Sequence, residues 1–234
     1  MARQTTNDFL FDLNQMESGI NGVTLLQARV NHGLYSDQLF QDAGIFFPPH
    51  LKTAAVPRKV DFLAGRLLIK TAQQMLGVAQ DTIVIGENRA PIWPGDQCGA
   101  ISHSRGWVVC VLSGNTGQTL GVDVEKIASG ASLQAIRERV LDAPERALIA
   151  NTPRPDHLAT LAFSAKETLF KALYPNVQRF FGFDAARLSA LPGPQTLRLT
   201  LLDDLNGDYR AGQIFEIHHR SDPDHVLTWL AVPA

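Results

Sequence analysis

Two carboxylates occupy alternate positions of an apolar segment near the middle of the 234-residue chain. Residues 121–125 read Gly-Val-Asp-Val-Glu, and alternate side chains of a β-strand point to the same face. Asp123 and Glu125 would therefore lie side by side in a largely buried strand. Two buried like charges are unfavourable unless a cation balances them. The segment predicts a cation site at a strand end, and a solvent-exposed strand end is the alternative.

A second segment places a third carboxylate on a helix. Apolar side chains recur at helical spacing, which predicts one long helix over residues 156–173 that Pro175 ends. Ser164 and Glu167 also match a capping box, in which a serine begins a helix and the acid bonds back to it. Because the apolar stripe runs past both residues without a break, we interpret Glu167 as lying inside the helix.

Glu167 and Lys171 lie one helical turn apart, opposite the apolar stripe, and Lys166 stands beside Glu167. This pattern suits an ordinary surface ion pair, and it suits equally a face that binds a cation and a phosphate. Together with Asp123 and Glu125, Glu167 would give a ligand set of carboxylate oxygens alone. Such a set favours magnesium or calcium over zinc. The sequence therefore predicts a magnesium site with phosphate-binding lysines at its edge.

The composition is that of an ordinary globular chain. Hydrophobic residues make up 45% and charged residues 19%, which argues against disorder. The net charge of -2 gives no basic excess, so we expect no nucleic-acid partner, and any bound anion needs a local basic cluster. No apolar run is long enough to span a bilayer, and the first eight residues lack a signal-peptide core. Cys110, in a buried strand, suits a reduced thiol, so a cytoplasmic protein is expected.

Both halves of the chain contain helical segments and segments typical of antiparallel strands. The predicted strands cover residues 22–30, 81–85, 107–112, 118–125, 195–201, 213–219 and 225–232. The predicted helices cover residues 57–75, 132–141, 144–149 and 156–173. Residues 113–117 carry the signals of a hairpin turn that would join the strands on either side. The two acids would then lie at the end of a central strand.

These elements predict an α+β fold of two lobes that share an interface. The division falls near Gly117, so the lobes would comprise residues 1–117 and 118–234. No sequence repeat proves that one lobe duplicates the other. The acids Asp123, Glu125 and Glu167 would all fall in the second lobe.

Several basic and polar side chains of the first half could bind an anion. Arg58 and Arg66 are about 80° apart on a helical wheel, so they could face one ligand. Arg89 follows in a turn-rich segment, and Ser102 and His103 precede a buried strand. Each residue alone is as easily a surface or structural group. The chain contains no glycine-rich phosphate loop and no Ser-His-Asp signature.

Six motifs, taken in order, resemble the Sfp-type phosphopantetheinyl transferases, and within them the enterobactin synthase component D branch. They are residues 62–66, 89–94, 101–104, 121–125, 163–167 and 170–175. The resemblance implies two similar α/β lobes related by pseudo-twofold symmetry, with coenzyme A and the metal at their interface. The implied reaction moves 4'-phosphopantetheine from coenzyme A onto a serine of an acyl or peptidyl carrier protein and releases adenosine 3',5'-bisphosphate. Siderophore or other nonribosomal peptide assembly is the expected pathway.

The resemblance also assigns roles to the lobes and to residues. The first lobe would carry the contacts to the coenzyme A nucleotide, and the second would carry the metal-binding acids and the catalytic helix. Asp123, Glu125 and Glu167 would bind magnesium, and Glu167, Lys166 and Lys171 would be catalytic. The residues expected to bind coenzyme A are Arg58, Arg66, Arg89, Ser102, His103, Lys166 and Lys171. Some members carry a third acid where this chain has Val124, so water is expected to complete the magnesium shell.

Phosphoryl transfer needs a cation on the diphosphate and positive groups near the developing charge, as these residues would provide. Either Glu167 or a metal-bound water could accept the serine proton, and the sequence leaves both open. Two other functions also remain open at this point. One is a magnesium-dependent phosphohydrolase with the same acids, and the other is a catalytically silent subunit that binds carriers. A monomer is expected, and an association with larger synthase subunits is left open.

Overall fold

The computed structural model describes residues 6–86 and 90–234. The chain divides into two compact units, Met1–Gln118 and Thr119–Ala234, and each unit has its own hydrophobic core. Both units combine helices with an antiparallel sheet, which confirms the α+β fold class. No helix among the described residues is both long and apolar enough to cross a membrane.

The first unit contains a four-stranded antiparallel sheet in the order β1-β2-β6-β5, and a short ribbon of β3 and β4. The strands are β1 Leu10–Met16, β2 Val23–Val30, β3 Val84–Ile85, β4 Pro91–Ile92, β5 Cys98–Ser104 and β6 Trp107–Ser113. Leu26 of β2 and three side chains of β6, Val108, Cys110 and Leu112, are fully buried in the core of this unit.

The helices of the first unit are α1 Thr6–Phe9, α2 Gln38–Asp42 and α3 Val56–Leu76, with 3-10 turns at His32–Leu34 and Pro49–Leu51. The long helix α3 has Pro57 in its first turn and ends at Gly77, whose φ of 67° is the left-handed conformation that glycine favours. It packs against β2, β5 and β6. Gly65 allows a close approach, because a Cβ there would lie 3.0 Å from Ile101 of β5.

The second unit contains a five-stranded sheet in the order β7-β11-β10-β9-β8. Its strands are β7 Gln118–Lys126, β8 Ala186–Leu188, β9 Thr196–Leu201, β10 Ile214–Ser221 and β11 His225–Pro233. Its helices are α4 Gly130–Arg139, α5 Ala143–Ala150 and α6 Pro155–Val177, with a 3-10 turn at Phe183–Ala185. The apolar stripe of α6 is buried, and the helix packs along β11.

The hairpin predicted through residues 113–117 is wrong. Both edges of β6 are already used, since Val111 pairs with Leu25 of β2 and with Ala100 of β5. The next strand, β7, therefore joins the other sheet, where it lies beside β11 at one end of the strand order. Asp123 and Glu125 thus belong to a terminal strand of their sheet and not to a central one.

Other predicted elements also differ from the structure in their ends or were missed. Pro175 does not end α6 but lies inside it, because the last turn continues to Val177 and the Gln178 N–H donates to the Tyr174 carbonyl at 2.8 Å. The strand predicted over residues 81–85 is confined to Val84–Ile85. Four strands were not predicted: β1, β4, β5 and β8. The strand β1 is largely exposed, β4 and β8 have two and three residues, and β5 contains the polar residues Ser102, His103 and Ser104, which were expected to precede a strand.

Candidate active site

The strand β7 presents one face of small and acidic residues to α6. Gly121, Asp123 and Glu125 share this face because side chains alternate along a strand. A Cβ at Gly121 would lie 2.1 Å from the Thr168 carbonyl oxygen, so α6 packs directly on the strand. Asp123 is 2% exposed and Glu125 is half-buried. The missing side chain of Gly121 therefore brings the middle of α6 next to the two acids.

Lys171 of α6 reaches across to β7. Its Nζ donates to Asp123 Oδ1 at 2.7 Å and to the Val122 carbonyl at 3.0 Å. The lysine side chain is 25% exposed and the aspartate side chain 3%. The pair is therefore an ion pair at the edge of the core, with part of the lysine side chain still accessible to solvent.

Glu167 lies one turn before Lys171 and belongs to the same electrostatic group. Burial raises the pKa of the Glu167 carboxyl, the Lys171 ammonium opposes this rise, and the negative charge of Asp123 adds to it. The structure thus brings Asp123, Glu167 and Lys171 together, with Glu125 two residues along the same strand face. A raised pKa makes a carboxyl a stronger base once it is ionised, which suits a group that accepts a proton.

The oxygen donors fit magnesium in kind, but the side chains as placed do not form a metal cluster. In residues 6–86 and 90–234, no group of three or more His, Cys, Asp or Glu side chains is arranged to hold a metal ion. The Asp123 carboxylate is engaged by the Lys171 ammonium. A divalent cation at Asp123 would thus need the side chains to change position, and the magnesium assignment stays a prediction.

Lys166 lies outside this group, contrary to its expected contact with a diphosphate. Its Nζ donates to Glu145 Oε2 at 2.8 Å, to the Val140 carbonyl at 2.8 Å and to the Phe183 carbonyl at 3.0 Å. These contacts use all three ammonium protons, and the side chain is only 3% exposed. Consecutive helical side chains diverge by about 100°, so a neighbour of Glu167 need not share its face.

Sequence reasoning missed Glu145, the buried partner of Lys166. The residues before it carry a recognisable signal, because Asp142 and Glu145 form a capping box with Pro144 in the first turn of α5. That pattern predicts a helix start but not the burial of Glu145, whose side chain is fully enclosed.

In the first unit, Arg58 and Arg66 influence each other. Burial, together with the charge of Arg58, lowers the pKa of the Arg66 guanidinium to about 10. The guanidinium carbon lies 4.6 Å from the centre of the Phe62 ring. Arg66 also lines a cavity of about 280 Å³, together with Phe62, Lys70, Ile83 and Ile85.

His103 lies on the α3 side of β5, and its Nδ1 is 3.4 Å from Asp61 Oδ2. Ser102 is the preceding residue of the same strand, so its side chain points to the opposite face and is buried. The structure therefore separates these two predicted ligands. Arg89 lies outside the described residues.

Two family models match the chain. The model of the 4'-phosphopantetheinyl transferase superfamily matches residues 119–229, and the model of the 4'-phosphopantetheinyl transferase N-terminal domain matches residues 47–113. The chain belongs to the 4'-phosphopantetheinyl transferase superfamily, as its six motifs predicted.

Individual proteins with names from this enzyme class are also similar to the chain in sequence. The chain is 36% identical to enterobactin synthase component D of Salmonella typhi over 156 residues, which are 65% of this chain and 64% of that protein. It is 34% identical to the protein of the same name from Escherichia coli K12, over 57% of this chain and 65% of the relative. It is 29% identical to the 4'-phosphopantetheinyl transferase Svp of Streptomyces mobaraensis, over 79% and 81%. The matches to the enterobactin synthase components thus span just under two thirds of those proteins.

Proposed function

We propose that this protein transfers 4'-phosphopantetheine from coenzyme A to a serine hydroxyl of an acyl or peptidyl carrier protein. In this reaction the serine oxygen forms a bond to the β-phosphorus of coenzyme A, the diphosphate P–O bond breaks, and adenosine 3',5'-bisphosphate leaves. The observation that carries the proposal is the group of Asp123, Glu167 and Lys171 where α6 crosses β7. Family membership supports the same reaction.

Lys171 is the proposed contact to the diphosphate. Its ammonium already balances a carboxylate, and a quarter of the side chain is exposed. Phosphoryl transfer is accelerated mainly by positive groups that are fixed next to the oxygens where charge develops. Lys171 is suited to this role because its Nζ is held by Asp123 and the Val122 carbonyl.

Asp123, Glu125 and Glu167 are the proposed magnesium ligands. Magnesium, when bound, would neutralise charge on the diphosphate of coenzyme A. Glu167 is also a candidate for the group that accepts the serine proton, since its raised pKa brings it closer to the working pH. A water held at the site is the alternative acceptor.

The nucleotide end of coenzyme A is assigned to the first unit. Arg58, Arg66 and His103 are the proposed contacts to the 3'-phosphate, and Arg89 remains an expected one. Arg66 is held by burial and by the Phe62 ring, so its guanidinium needs little ordering when it binds a phosphate.

The remaining parts of the proposal concern the setting of the reaction. We assign the protein to siderophore or nonribosomal peptide assembly because relatives are named enterobactin synthase component D. Cys98 and Cys110 are free thiols, which suits the cytoplasm. A monomer that associates with synthase subunits through the carrier is consistent with this assignment.

Intact mass measurement tests the proposal. The protein is incubated with coenzyme A, magnesium and each of several apo carrier proteins, and a mass gain of one phosphopantetheine per carrier is expected. If no carrier gains mass while a small phosphate diester is hydrolysed to its monoester and alcohol, the proposed function is wrong and the chain is a hydrolase. If neither reaction occurs but a carrier binds, the chain is a silent binding subunit.

A further inference from the structure

The ion pair of Lys166 and Glu145 is the most deeply buried one between described residues of the second unit. Glu145 is fully enclosed and Lys166 is 3% exposed. Removing water from both charges is costly, and a buried pair compensates this cost only when further hydrogen bonds satisfy each group. These further bonds are present here, and they connect several segments.

The further hydrogen bonds of the pair reach different parts of the unit. Lys166 Nζ also donates to the carbonyl of Val140, after α4, and to that of Phe183, in the 3-10 turn before β8. Glu145 Oε1 accepts from the Leu188 N–H of β8, and Oε2 accepts from the Asp142 N–H at the start of α5. The pair therefore joins α6 to four other segments.

A second set of buried contacts holds α6 from the opposite side. Ser164 and Thr168 contact the Thr228 hydroxyl of β11 at 2.9 and 2.6 Å. On a helical wheel Lys166 lies about 160° from both of these residues. Glu167 and Lys171 lie between Lys166 and the Ser164 and Thr168 side, so rotation of α6 about its axis would move both of them.

We infer that Lys166 is a positioning residue, which with Glu145 fixes the rotation of α6 and so places Glu167 and Lys171 against β7. The inference rests on the proposed function, because the roles of Glu167 and Lys171 in catalysis come from that proposal. It replaces a direct contact between Lys166 and the diphosphate, which would require the ammonium group to leave three hydrogen bonds inside the core.

Variants of both partners separate positioning from direct contact. Glu145 is an enclosed anion and cannot itself bind a diphosphate, so a direct role for Lys166 predicts that Glu145→Gln retains activity. Positioning predicts that Lys166→Met and Glu145→Gln each lower kcat about tenfold or more, because each leaves a buried charge without its partner. The double variant, in which neither charge remains, should recover to within about threefold of the wild-type kcat because the two effects are coupled.

Three readouts are measured well below the melting temperature. They are kcat, KM for coenzyme A, and the amide hydrogen exchange of residues 163–171. Positioning predicts faster exchange in both single variants, wild-type exchange in the double variant, and a KM within about threefold of wild type in the double variant. Arg198→Met is the matched control, since Arg198 forms an exposed ion pair with Glu216 in the same unit and should change nothing.

The double variant decides the question even if the single variants fail to fold, because it lacks the Lys166 amine altogether. A folded double variant with a raised KM and less than about a tenth of the wild-type kcat would overturn the inference, as would full activity of Glu145→Gln. If the wild-type protein modifies no carrier, the exchange data still test the rotation of α6. In that case the proposed function fails separately from the inference.

Discussion

Asp123, Glu167 and Lys171 show how a small group of charges is arranged at the border of a hydrophobic core. Lys171 compensates Asp123 directly, whereas Glu167 is left with a raised pKa because burial outweighs the favourable charge of Lys171. A carboxylate in this setting lowers the stability of the folded chain at neutral pH. Such a cost is typical of residues that are retained for binding or catalysis and not for stability.

Glu167→Gln should make the metal-free protein more stable at neutral pH while it removes activity. The raised folded pKa means that ionisation of Glu167 opposes folding. This cost is absent below the unfolded pKa and is complete above the folded pKa. The variant should therefore melt at a higher temperature than wild type at pH 7, in the presence of a chelator, and at the same temperature near pH 3. Equal melting temperatures at both pH values would contradict this account of Glu167.

Glu125→Gln tests the metal assignment. Loss of one carboxylate from the proposed ligand set should lower the transfer rate at least about a hundredfold, with the fold intact. Rates are measured over a range of magnesium concentrations, and circular dichroism checks the fold. Glu216→Gln is the control, because Glu216 is an exposed acid of the same unit. Wild-type rates for Glu125→Gln would show that Glu125 does not bind the metal.

At the scale of elements, the site depends on how closely α6 approaches β7. The close contact exists because Gly121 has no side chain where the Thr168 carbonyl meets the strand. The long apolar stripe of α6 made this helix predictable from sequence, since a periodic pattern reports which face is buried. The strand that pairs with β7 was not predictable in the same way. A strand can pair only with a strand whose edge is still open, and segments distant in the sequence decide which edges are open. The wrong hairpin prediction has this origin.

Gly121→Ala should separate the strand from the helix. The added Cβ would lie 2.1 Å from the Thr168 carbonyl oxygen, so the backbone must shift, at a cost of about 1–3 kcal/mol. Both the transfer rate and the free energy of unfolding in urea should fall. Gly207→Ala is the matched control, because a Cβ there meets nothing within 4 Å, and its stability should be unchanged. A fully active and stable Gly121→Ala would contradict the proposed packing.

At the scale of the whole molecule, each unit has its own sheet and core, and the proposed residues are divided between them. The motifs predicted the family, the fold class and the group of acids and Lys171. The sequence did not predict the burial of Lys166. Lys166 and Glu167 belong to one motif, but adjacent side chains of a helix point in different directions, and tertiary packing decides which of them is buried. Ser102 and His103 also belong to one motif, but they lie on opposite faces of β5 because adjacent side chains of a strand point to opposite faces.

The central claim is that the chain carries out a group transfer between coenzyme A and a carrier protein. The most direct measurement is a time course that records both products, the carrier by intact mass and adenosine 3',5'-bisphosphate by chromatography. The account predicts that the two products form in equal amounts, that each carrier gains one phosphopantetheine, and that a chelator stops the reaction until magnesium is restored. Cleavage of coenzyme A without any gain in carrier mass, for every apo carrier tried, would contradict it.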